Sequence, residues 1–178
     1  MSIREIIRMG HPTLRQLARP VLEAEVNSPV FEQLVEDMRD TLRHSGGIGL
    51  AAPQINESLQ LAVIEITDPV TRYGNISLIP FSIYINPVIE VVDETTKGYW
   101  EGCLSIPGLR GFVERPQHIR VAYRNEKFEP ITEEFTGFSA TVFQHEFDHL
   151  YGKLYVDRMK DLSRFAYEEE FINWHQPD

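Results

Sequence analysis

The stretch Gln144-His145-Glu146-Phe147-Asp148-His149-Leu150-Tyr151-Gly152 constrains this chain more than any other. It contains H-E-x-x-H, and on a helix two histidines at i and i+4 share one face. Both imidazoles can then reach a single metal ion, with the intervening glutamate beside them as a general base. The flanks predict a helix over 138–151. Phe138-Ser139-Ala140-Thr141-Val142-Phe143 follows Gly137 with apolar residues on helical spacing, and Gly152 stands where helices commonly stop. The bland alternative is two surface histidines meeting at this spacing by chance. Two ligands are also not a complete site, because a catalytic zinc-type centre takes three protein ligands and leaves one position open.

Three candidates compete for the third ligand. Tyr155 stands where the longer pattern H-E-x-x-H-x-x-G-x-x-H has its last histidine, and a neutral phenol is a poor substitute. Glu168, Glu169 and Glu170 lie about as far downstream as the glutamate ligand of another metallopeptidase class, but such an acidic run is usually a solvated helix face. Cys103 is the only cysteine, which excludes an intramolecular disulfide and fits a reducing compartment. It lies in 97–108 between glycines and ahead of a proline, loop chemistry that presents a thiol rather than packing it away. A thiolate suits a borderline-soft divalent cation, so two histidines and Cys103 are the favoured set.

The remaining chain predicts an α+β domain. Ser28 and Pro29 open an amphipathic helix whose stripe is Phe31, Leu34, Val35, Met38 and Leu42, ending near Ser45-Gly46-Gly47. Strands are expected at 3–9 (an edge), 61–66, 82–87, 88–92, 112–116, 119–124 and 130–135, with a loop or hairpin over 67–80. Asp161 is expected to cap a last short helix with Leu162, Phe165, Ala166 and Phe171 inward. The expected architecture is one domain, 1–178, of mostly antiparallel strands packed around a central helix carrying H-E-x-x-H. A net charge of −10 argues against a nucleic-acid surface, and neither a signal-peptide run nor a membrane span is evident.

Two further motifs complete a pattern. Gly47-Ile48-Gly49-Leu50-Ala51-Ala52-Pro53-Gln54, Glu101-Gly102-Cys103-Leu104-Ser105 and His145 to Gly152 occur in the order G-x-G-L-A-A-x-Q, E-G-C-L-S, H-E-x-D-H-x-x-G. In this the chain resembles the peptide deformylases, metal hydrolases that remove the formyl group from N-formylmethionyl peptides. The resemblance implies Cys103, His145 and His149 as metal ligands and Glu146 as the proton carrier. It implies Gln54 and the Leu104 N–H as oxyanion donors. Gly49 and Gly102 would lie along the peptide, Ile48, Phe138, Thr141 and Val142 with His145 would form the methionine pocket, and Arg110 would hold the peptide backbone. An ion pair of Glu101 with Arg115 would brace the cysteine, and Asp148 would orient a ligand.

The same resemblance implies Fe(II) in the cell, with Zn(II), Ni(II) or Co(II) in isolated protein. Its partners would be nascent formylmethionyl chains, met as monomer or homodimer in a bacterial cytoplasm, or in an organelle matrix if a transit peptide has been removed. Some relatives dock on ribosomal RNA through a basic C-terminal helix. The segment from Phe165 to Trp174 is short and acidic, so any transient ribosome contact would be made another way.

Overall fold

The computed structural model describes residues 2–71 and 74–176. A short helix α1 (Glu23–Val26) precedes α2 (Pro29–Ser45), whose ends follow their sequence signals. Ser28 Oγ accepts from the Phe31 N–H at 3.2 Å, Pro29 fills a position with no N–H to satisfy, and Gly46 closes the helix at φ 68°.

Next come β1 (Gly49–Ala51), β2 (Leu61–Ile66), the small pair β3 (Val70–Thr71) and β4 (Gly74–Asn75), then β5 (Ile79–Cys103), β6 (Ile106–Arg124) and β7 (Pro130–Thr136). Helix α3 (Gly137–Leu150), strand β8 (Phe165–Tyr167) and helix α4 (Glu168–Trp174) complete the described chain. The main sheet runs β1-β2-β5-β6-β7, with β8 also on β6, and every pairing is antiparallel. Of the 67–80 excursion, residues 72–73 lie outside the described residues; β3 and β4 pair on either side of them.

Strand β2 shows why its sequence is a continuous apolar run. Leu61 and Val63 join the core under α2, with Phe31, Met38 and Leu42. Ala62 and Ile64 join the core under α3, with Phe143, Phe147 and Leu150. A strand covered on both faces has no polar face to alternate. Helix α3 is correspondingly enclosed, buried at every residue from Ala140 to Leu150, and it carries His145, Glu146 and His149.

Several sequence expectations change. Residues 3–9 form no strand; Ile7 N–H bonds the Gln54 carbonyl at 2.9 Å and Met9 N–H the Ser105 carbonyl at 2.8 Å, single ties across the site rather than a ladder. The pairs 82–87 with 88–92 and 112–116 with 119–124 fuse into β5 and β6. Pro87 is absorbed by a register shift between Ile85 and Val88, where Asn86 takes φ 51° and its amide bonds both backbone groups of Val21 at 2.8 Å. Cys103 therefore ends a strand, facing Ile106 across a tight turn at Leu104-Ser105.

At the C-terminal end, Asp161 does cap, accepting from Ser163 N–H at 2.9 Å, but only a 3-10 turn over Leu162–Arg164. Leu162 is exposed rather than inward. Phe165–Tyr167 instead pairs with Leu109–Gly111, the part of β6 that β7, which matches His118 to Arg124, leaves open. Phe171 is inward as expected, 5.2 Å from the Trp100 ring.

Gly152 ends the α3 region at φ +68°, and a Cβ there would lie 2.7 Å from the Arg15 backbone carbon. Gly152→Ala is expected to cost at least ~2 kcal/mol, left-handed strain plus a backbone clash, read from urea unfolding. A loss below ~0.5 kcal/mol would contradict this account of the glycine.

Candidate metal centre and active site

One turn of α3 brings His145 and His149 to the same face, and the end of β5 brings Cys103 against them. Their ligand atoms all lie within 4.8 Å of one another, with Cys103 Sγ 3.4 Å from His149 Nε2. The donor set of two imidazoles and one thiol fits a divalent cation with a position left open. The thiol is poised for that role. Burial pushes it up, but His149 and His145 outweigh burial and bring it down to about 5, so the thiolate, which is the ligand form, prevails at neutral pH. Burial alone would lower His145, yet Cys103 and Glu101 hold it well above its ordinary value.

Behind the ligands runs a chain of ion pairs. Glu101 Oε2 lies 2.7 Å from His145 Nδ1, which turns the other ring nitrogen, Nε2, towards the cluster. Arg115 grips Glu101 with two bonds, Nε to Oε1 at 2.6 Å and Nη2 to Oε2 at 3.0 Å, and donates Nη1 to Asp148 at 2.8 Å. Arg158 closes the chain on Asp148. Burial pushes the Glu101 carboxyl up, but Arg115 and His145 outweigh it and leave it below the usual range. Among the described residues Asp148 thus bonds no imidazole; its carboxylate is taken up by two arginines, and the acid that meets His145 is Glu101.

Gln54 is fixed at the opposite side. The Ala51 N–H donates to its Oε1 at 2.8 Å, so the NH₂ end faces Cys103 Sγ at 3.5 Å and Ser105 Oγ at 3.3 Å. Glu146 is buried between the histidines in sequence, and burial raises its carboxyl. Its Oε2 has no hydrogen-bond partner among the described residues. The carboxylate packs on the backbone of Gly49, where a Cβ would come within 2.5 Å of Glu146 Cδ. Only glycine permits that approach.

These groups open into a cleft of about 650 Å³. Ile48, Gly49, Gln54, Gly102, Cys103, Leu104, Arg110, Phe138, Thr141, Val142, His145 and Glu146 all border it, while His149 is buried behind them. The other ligand candidates are not part of the Cys-His-His group. Tyr155 packs with Cys103, its ring 6.1 Å from that of His145, and Glu168 and Glu170 are engaged by Arg110 and Trp174. The sequence reading missed Trp100, Leu109 and Glu168 in the cleft wall. Glu168 had a signal only in retrospect, since β8 pairing was needed to carry it back to Arg110.

An α+β fold whose cleft gathers a Cys-His-His cluster that could hold a metal ion, a buried glutamate and a fixed amide has the parts of a hydrolase. The sequence profile of the polypeptide deformylases matches residues 3–165. A peptide deformylase of Leptospira biflexa is 44% identical over 170 residues, 96% of this chain and 95% of that one. Among solved structures, a peptide deformylase from Acinetobacter baumannii bound to Met-Ala-Ser superposes with a TM-score of 0.81 at 34% identity, covering 89% of this chain and 100% of the other. One from Synechococcus elongatus in complex with actinonin gives 0.79 at 35% identity, covering 90% and 81%. The chain belongs to the polypeptide deformylase family.

Proposed function

We propose that this protein is a single-domain, metal-dependent amidase that removes the formyl group from the N-terminal formylmethionine of newly made polypeptides. The observation that carries the reading is the Gln54 amide, pinned by Ala51 with its NH₂ end 3.5 Å from Cys103 in the Cys-His-His cluster. A fixed donor beside a metal grip suits a carbonyl that becomes an oxyanion.

Cys103, His145 and His149 would hold the ion, Fe(II) being the cellular candidate and Zn(II), Ni(II) or Co(II) substitutes. When bound, a divalent cation supplies Lewis acidity that brings deprotonation of water near neutral pH. Glu146 accepts the proton lost by water and passes it to the departing amine, a task its raised carboxyl suits. Gln54 Nε2 and the Leu104 N–H face the oxygen of the formyl group as negative charge grows on it. The peptide lies along Gly49 and Gly102 as an added strand, and Arg110 holds its backbone. The methionine side chain sits among Ile48, Phe138, Thr141, Val142 and the His145 ring, on the helix that also carries the base. The strands thus wrap the H-E-x-x-H helix so that one rigid element serves metal, proton and side chain together. The working place is the bacterial cytoplasm or an organelle matrix; no described helix is long and apolar enough to cross a membrane.

Protein loaded anaerobically with Fe(II) should release formate from formyl-Met-Ala-Ser and leave the Met–Ala bond intact. Cleavage at Met–Ala, or no product from loaded protein, would refute the reading.

A further inference from the structure

The acidic C-terminal run reads in sequence as a solvated helix face, and Glu169 is that in the structure. Glu168 is not. Strand β8 pairs Ala166 with Arg110, which brings the next turn of chain back over the cleft. Phe171 packs against Trp100 at 5.2 Å and His175 lies tilted against the same indole at 4.8 Å, which seats the segment on that ring. From that seat Glu168 Oε1 accepts from both Nε and Nη2 of Arg110, the former at 3.0 Å.

A guanidinium is a rigid planar fork, so engaging its Nε–Nη2 edge fixes where the third nitrogen points. That nitrogen, Nη1, lies over Gly102: a Cβ built there would be only 2.0 Å from it. Nη1 makes no hydrogen bond among the described residues. Its two N–H groups therefore stand over the wall along which the substrate backbone would run. As a stability element the pair is weak, because its side chains are 24% and 39% exposed. Its geometric effect is larger than its energetic one.

We infer that Glu168 is a positioning residue for substrate: it holds Arg110 so that Nη1 faces the backbone of a peptide laid along Gly102. This rests on the deformylase reading and extends it to a residue in the C-terminal helix. Arg110 freed of Glu168 retains its charge but samples many rotamers, and each productive encounter then requires ordering it. The consequence falls on binding of peptides long enough to pass Gly102, and leaves the reacting groups untouched.

The test is steady-state formate release by Fe(II)-loaded wild type and Glu168→Gln, with formyl-Met-Ala-Ser and with formylmethionine amide, which has no residue after methionine. KM for the tripeptide should rise about two- to fivefold with kcat unchanged, and KM for the amide should not move. In an Arg110→Ala background the same substitution should have no effect, and Glu169→Gln should match wild type on both substrates. Equal changes on the two substrates, an effect that persists without Arg110, or an unchanged tripeptide KM would each overturn the inference. If wild type releases formate from neither substrate, the deformylase reading fails first and the inference goes with it.

Discussion

Glu146→Gln is expected to lower formate release by about 10²–10⁴-fold, the usual contribution of a general acid–base group, while leaving the metal bound. The substitution is nearly isosteric, and Glu146 lies outside the Cys-His-His cluster. The packing against Gly49 is therefore retained while the proton acceptor is lost. Its carboxyl stands above the ordinary range because it is buried, which brings its proton affinity closer to that needed near neutral pH. Metal content by elemental analysis and formate release on the same sample separate the two roles. Near-normal turnover in the loaded variant would remove Glu146 from the chemistry; loss of metal would make it part of the grip instead.

Arg115→Met is expected to be the most damaging change outside the cleft. Arg115 is 4% exposed and holds Glu101, 6% exposed, and Asp148, 7% exposed. Removing the shared cation leaves Glu101 with His145 alone and Asp148 with Arg158 alone, and breaking a buried ion pair in this way typically costs about 3–5 kcal/mol. Asp148 keeps Arg158 on its outer side, so most of the penalty falls on Glu101. Glu101 is also what orients His145, so the same substitution should weaken metal binding by about 10–100-fold. Urea unfolding and chelator competition read the two effects. A variant that loses less than ~1 kcal/mol and keeps its metal affinity would mean that the ion-pair chain neither braces the fold nor orients the ligand.

How much was legible in the sequence depended on the range of each signal. The local ones held: Ser28, Pro29 and Gly46 bound α2 as their capping chemistry requires, and 61–66 is a strand buried on both faces. The three motifs named residues that the fold gathers into one cleft. What failed depended on partners distant in sequence. Pro87 reads as a break until Asn86 is seen bonding Val21, which lets β5 continue through it. Phe165-Ala166-Tyr167 has helical spacing, but an open stretch of β6 offered hydrogen bonds that a strand could take. Glu168 looked like one of three solvated acids because nothing local distinguishes it from Glu169. Asp148 adjoins His149 in sequence, whereas the carboxylate that meets an imidazole is that of Glu101 on β5, against His145.

The most direct test of the account is a metal titration of the stripped protein under anaerobic conditions, following formate release from formyl-Met-Ala-Ser as Fe(II) is added. Activity should rise linearly and break at one equivalent per chain, while Cys103→Ser should take up little metal and release almost no formate. Activity indifferent to added metal, or metal uptake undiminished in Cys103→Ser, would contradict the claim that Cys103, His145 and His149 hold the ion on which the reaction depends.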